Sequence, residues 1–155
     1  MSTTWCPIRE HYFYTSAVIP RWLTDFLRRL RVKETYITAY ELIAAACAHL
    51  TFPDLLRGRL VHHFVDNKAA RGGLVRGSSG KPDCAWVIGE VHVQVLALAC
   101  QPWFGFVYSE DNLSDLPSRG ECRQLEDMLL RRYSVRPHFR VCKLPWFTGV
   151  PDFIG

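Results

Sequence analysis

The run Leu60-Val61-His62-His63-Phe64-Val65-Asp66 constrains the fold more than any other stretch of the chain. It is apolar, rich in β-branched and aromatic residues, and bounded by Gly58 and Asn67, so it reads as a buried strand. A second strand, Trp103 to Ser109, follows only after two segments of helical character. Lys68 to Val75 reads as a short helix weakened by Gly72-Gly73, and Arg76 to Pro82 as a loop. Residues 84–100 contain an alternating, strand-like Val91-His92-Val93-Gln94-Val95. The whole run has the length of a helix, with Asp83 as a possible N-cap, and we read it as a helix. A strand, a helical crossover and a second strand imply parallel pairing around Leu60 to Asp66.

The flanking segments fit the same α/β class. Tyr12-Phe13-Tyr14-Thr15 and Val18-Ile19-Pro20 read as one or two short strands. Trp22, Leu23, Phe26, Leu27 and Leu30 recur at helical spacing within residues 21–31. Thr35 to Leu50 is the strongest helix, with Thr38 and Glu41 spaced as a capping box and Pro53 as its stop. Asn112 to Ser118 reads as a loop entering a short helix, and Glu121 to Tyr133 as a helix. From Arg136 the spacing predicts an irregular tail docked by Trp146, Phe147 and Phe153.

At 155 residues the chain fits one domain. Its net charge of +4 suits a polyanionic partner without requiring one. The distribution is more telling: Arg57, Arg59, Lys68, Arg71, Arg76 and Lys81 surround Asp66, and a second basic stretch holds Arg131, Arg132, Arg136, Arg140 and Lys143. A pair of solvated faces would carry the same charges. Cys6, Cys47, Cys84, Cys100, Cys122 and Cys142 are scattered without CxxC or zinc spacing, which reads as buried free thiols in a reducing compartment. Arg9 and Glu10 interrupt any signal-like N-terminus, and no apolar run approaches membrane length. The expectation is a soluble intracellular protein, nuclear or cytoplasmic, with no membrane partner.

Three acids stand in recognisable settings. Asp66 ends the apolar strand, Glu41 opens the Ala-rich helix, and Asp115 lies in Ser109-Glu110-Asp111-Asn112-Leu113-Ser114-Asp115-Leu116-Pro117. Carboxylates at element ends can converge on divalent metal, and oxygen ligands without Cys or His suit Mg²⁺. Each acid also has a purely local reading: an Asx turn with Asn67, a helix N-terminal acid, and an N-cap. The strand histidines His62 and His63 face opposite sides and read as packing. Trp103, Phe104 and Phe106 fit a strand as well as a base-stacking surface. Ser78-Ser79-Gly80-Lys81 lacks phosphate-loop spacing.

Tyr40-Glu41-Leu42-Ile43-Ala44-Ala45, then Phe64-Val65-Asp66-Asn67-Lys68-Ala69-Ala70 with Leu74-Val75-Arg76-Gly77-Ser78, then Val107-Tyr108 through Arg119 resemble the ribonuclease H-like domain of retroelement polyproteins. The resemblance runs from about Tyr12 to Gly120. It implies a mixed sheet flanked by helices and Mg²⁺-dependent hydrolysis of the RNA strand of RNA–DNA hybrids at a two-ion site. Glu41, Asp66 and Asp115 would be the catalytic and metal-binding residues. Asn67, Lys68, Arg71, Arg76 and Ser109 would face nucleic acid, and a longer parent would carry an adjoining polymerase domain.

The family's first strand carries a further Asp, and residues 1–11 contain none. By the resemblance the chain begins near the family's second strand: residues 1–120 form a partial ribonuclease H-like domain, and 121–155 a C-terminal helix and docked tail. The expected consequence is impaired nuclease activity. The other reading is a non-catalytic nucleic-acid-binding or interaction module that keeps the fold.

Overall fold

A computed structural model describes residues 5–6, 11–30 and 37–143. The tail aromatics Trp146, Phe147 and Phe153 lie outside them. The elements run β1 (Trp5–Cys6), β2 (His11–Tyr14), α1 (Arg21–Arg29), α2 (Ile37–Thr51), α3 (Pro53–Leu56), β3 (Leu60–Val65), α4 (Lys68–Arg76), α5 (Pro82–Leu98), β4 (Gln101–Phe106), α6 (Asp115–Ser118), α7 (Cys122–Tyr133) and β5 (His138–Phe139). The chain is of the general α/β class.

Helix α2 is buried on nearly all sides from Leu42 onward, which a sequence of Ala, Leu, Ile and Cys permits. Its alanines let α5 pack closely, and both helices join the inner face of β3 in one core with Phe52, Leu74, Val87, Ile88 and Phe104. β3 and β4 pair in parallel from Leu60↔Gln101 to Val65↔Phe106, as the crossover requires. Asn67 then stops β3 and caps α4, its side chain accepting a hydrogen bond from the Ala70 N–H at 2.9 Å. At the other end of α4, Gly77 takes the left-handed conformation at φ +72°, with Ser78 N–H reaching back to the Gly73 carbonyl. Asn67→Ala is expected to lower the unfolding free energy by about 1 kcal/mol, read from the urea midpoint.

Several expectations are corrected. β3 is only half buried: Val61, His63 and Val65 face the core, whereas Leu60, His62 and Phe64 face out beside exposed Trp103, because α2, α4 and α5 share the core on the inner side. Ile37 is already helical, so Thr38 and Glu41 are both interior to α2 and form no capping box. α2 stops at Thr51, just before Pro53 as expected, and Pro53 then opens the short α3. α5 starts at Pro82 with Lys81 at the N-cap, which leaves Asp83 buried in the first turn. Ser114, not Asp115, precedes α6.

The segment after Arg136 is not wholly irregular. β5 pairs in parallel with β2, Phe13↔His138 and Tyr14↔Phe139, and β2 pairs antiparallel with β1. Among the described residues the strands therefore form two small sheets, β1-β2-β5 and β3-β4. Tyr14 packs with Leu125 and Leu129 of α7 and donates its hydroxyl to Glu126. Beyond β5, Arg140 forks onto Asp54, donates to the Thr51 carbonyl at 3.4 Å, and lies over the rings of Phe13 and Phe52. This strap ties residues 138–143 to the C-terminal end of α2.

Candidate carboxylate site

Parallel strands end on the same side of their sheet, and the loops beyond those ends form a crevice. Asp66 follows the last residue of β3, and the segment after β4 folds back over it. The Val107 N–H extends the ladder to the Val65 carbonyl at 3.1 Å. A 3-10 turn over Ser109–Asp111 then brings Asn112 to Asp66, where its amide donates to a carboxylate oxygen at 3.0 Å. Asn112 is itself fixed, because its side-chain carbonyl accepts from Ser114 N–H at 3.1 Å.

Helix α2 supplies the second acid from its second turn. Glu41 is half-buried and hydrogen-bonds Asp66, with Asp115 near enough to act on it through charge. Its carboxyl is pushed up to about 7, first by burial, then by the charge and hydrogen bond of Asp66 and the charge of Asp115. Two carboxyl groups in contact share a proton more easily than they share two negative charges. Asp115 stands differently: its carboxylate pairs with Arg119 at 2.6 Å, and Ser118 lies within 3.5 Å. Among the described residues, no three His, Cys, Asp or Glu side chains are gathered tightly enough to enclose one metal ion. The arrangement is a contacting Glu41–Asp66 pair with Asp115 as an outer charge.

The other candidate residues divide into structural and exposed groups. Asn67 is occupied as the α4 cap. Arg71 is half-buried and donates from Nε to the Phe104 carbonyl at 3.0 Å, which ties α4 to β4. Lys68 is exposed, its ammonium 5.3 Å from the centre of the Phe106 ring. Arg76 is exposed at the end of α4, and Ser109 is exposed in the turn after β4. Asn112 escaped the sequence reading. Its only local signal is an Asx pattern with Ser114; that it reaches Asp66 depends on the β3–β4 pairing.

The histidines are packing groups. His49 and His63 stack with ring centroids 5.4 Å apart, and His63 also lies against Phe104. Burial, followed by the neighbouring His49, pushes His63 down to about 3. Burial likewise lowers His49, with His92 acting in the same direction.

No family model, curated protein or solved structure matches the chain. No helix among the described residues is long and apolar enough to cross a membrane.

Proposed function

We propose that the chain is a ribonuclease H-like domain of retroelement descent whose Glu41–Asp66 pair, with Asp115, forms an impaired Mg²⁺-dependent site for the RNA strand of RNA–DNA hybrids. The observation that carries this reading is the contact between Glu41 and Asp66 at the C-terminal end of a parallel strand, with Asp115 acting on the same carboxyl. The three acids come from separated segments, and local capping does not require them to meet.

The donor chemistry fits a hard divalent cation, which Glu41 and Asp66 would hold through oxygen. When bound, Mg²⁺ supplies charge neutralisation at phosphate and lowers the pKa of a hydrolytic water. Glu41 must give up its proton to become a ligand, and its raised pKa makes that proton available near neutral pH. Asn112 holds the Asp66 carboxylate in one orientation. Asp115 would have to leave Arg119 to join the pair. Lys68, exposed in the first turn of α4, presents charge to a nucleic-acid backbone beside Asp66, and Arg76 adds charge at the far end of that helix. The Asp that the family carries on its first strand has no counterpart among residues 1–11, and a site without it would lack part of its transition-state charge stabilisation.

A non-catalytic nucleic-acid-binding module is the second reading, and the Asp115–Arg119 ion pair favours it, because it withdraws one acid from the pair. Carboxyl-carbon NMR separates the two. The expected result is that Mg²⁺ lowers the Glu41 titration from about 7 and that Asp66→Asn abolishes the effect, while hybrid cleavage stays near background. Robust Mg²⁺-dependent cleavage lost in Asp66→Asn would overturn the impairment. A Glu41 titration indifferent to Mg²⁺ would leave the non-catalytic reading.

A further inference from the structure

Cys47 and Thr51 lie one turn apart on α2 and so share a face. The strap after β5 is fastened to that face. Arg140 donates to the Thr51 carbonyl, and Lys143 N–H donates to the Thr51 hydroxyl at 3.2 Å. Cys142 lies between these two anchors and packs against the core that contains Cys47. The two thiols are near enough that each shifts the acidity of the other. Cys47 is buried, with 9% of its surface exposed, whereas Cys142 is only partly covered and is open to a small reagent.

We propose that Cys47 and Cys142 are a redox-active dithiol that closes to a disulfide at the expense of a low-molecular-weight disulfide such as oxidised glutathione, locking the C-terminal strap to the helix that carries Glu41. The two sulfurs have different tasks. Cys142 is lowered to about 6, first by the neighbouring Cys47 thiol and then, against burial, by the Thr51 hydroxyl beside it. The Thr51 hydroxyl accepts from Lys143 N–H and so can turn its own hydrogen to the sulfur. Cys47 moves the other way, raised by Cys142 and by burial. Cys142 is therefore the attacking thiolate and Cys47 the resolving thiol.

Each step balances. The Cys142 thiolate attacks one sulfur of oxidised glutathione; the S–S bond breaks, and one glutathione leaves as thiolate. Cys47 passes its proton to that thiolate and attacks the Cys142 sulfur. The mixed disulfide breaks, and the second glutathione departs as thiolate and takes a proton from solvent, replacing the one Cys142 had released. Two protein thiols are oxidised and one glutathione disulfide is reduced to two thiols. The new bond joins residues distant in the chain, so the loop it closes is long and the unfolded state loses much freedom.

This inference does not depend on the proposed function. The test equilibrates the full chain in glutathione buffers, blocks free thiols and maps disulfides by non-reducing peptide mass spectrometry, with melting followed in parallel. The expected result is a Cys47–Cys142 linked peptide and a melting temperature raised by roughly 10 °C, both reversed by dithiothreitol. Cys142→Ser should prevent the linkage. Cys47→Ala should stop at a glutathione adduct on Cys142, and Cys100→Ser should link normally. Mapping the wild-type chain needs no variant: a folded protein that carries only the Cys142 adduct, or no Cys142 modification, across the buffer series overturns the proposal.

Discussion

Acidification from pH 7.5 to 4 is expected to cost the folded chain about 3 kcal/mol through His63 alone, and His63→Phe is expected to abolish that part of the loss. The imidazole Nε2 is buried without a hydrogen-bond partner, and the ring is enclosed by His49 and Phe104. Its folded pKa of about 3 lies below the ordinary 6.5. The unfolded chain therefore binds a proton that the folded chain refuses. Stability from this group is complete above about 6.5 and drains away as the pH falls toward 3. His49 adds to the slope in the same direction, because burial lowers it too. Phenylalanine keeps the ring volume and carries no proton, so near pH 7.5 it should cost little or nothing. Urea unfolding at the two pH values decides the matter. Equal acid losses in wild type and His63→Phe would show that this ring is not responsible.

Glu41→Gln is expected to act at the opposite end of the scale, stabilising the protein by up to about 3 kcal/mol at pH 8 with little effect at pH 4. Here the folded pKa of about 7 lies above the ordinary 4.5, so the folded chain is the better proton binder between those values. Stability from Glu41 is complete below about 4.5 and is lost as the pH rises through 7. Glutamine resembles the protonated acid, retains a hydrogen bond to Asp66 and removes the like-charge repulsion. The wild-type chain should accordingly be most stable near pH 5.5, midway between the two unfolded values, with His63 eroding the acid side and Glu41 the alkaline side. A stability gain from Glu41→Gln equal at pH 4 and pH 8 would disprove the linkage. A carboxyl that weakens its own fold at working pH is the usual mark of a group retained for binding or chemistry.

The elements legible from local pattern were those whose signals are local. The apolar run into Asp66, the Asn67 stop and the helix-length stretch over 84–100 each carry their own start or end, and the parallel β3–β4 pairing follows from the connection between them. Glu41 and Asp66 could be chosen as candidates, but their contact could not be derived from spacing, since α2 and β3 are brought together by the shared core. The rest is long-range. The parallel placement of β5 beside β2, Asn112 on Asp66, and Cys142 against Cys47 all join segments with no periodic relation to each other. The one-sided burial of β3 was misread for a related reason: Leu60 and Phe64 look like core residues, and only the placement of the helices shows that their face is open.

The β3–β4 pairing also orders events in folding. Its two strands are separated in sequence by all of α4 and α5, and a two-stranded parallel ribbon has little stability of its own. The ladder therefore closes only after those helices have docked on α2, and loop-closure entropy makes this a late step. Asn112 reaches Asp66 only across that closed ladder. The Asn112–Asp66 contact is thus assembled last and dismantled first, and any fluctuation that parts the two strands releases the Asp66 carboxylate from it while the Glu41–Asp66 pair and the helical core stand.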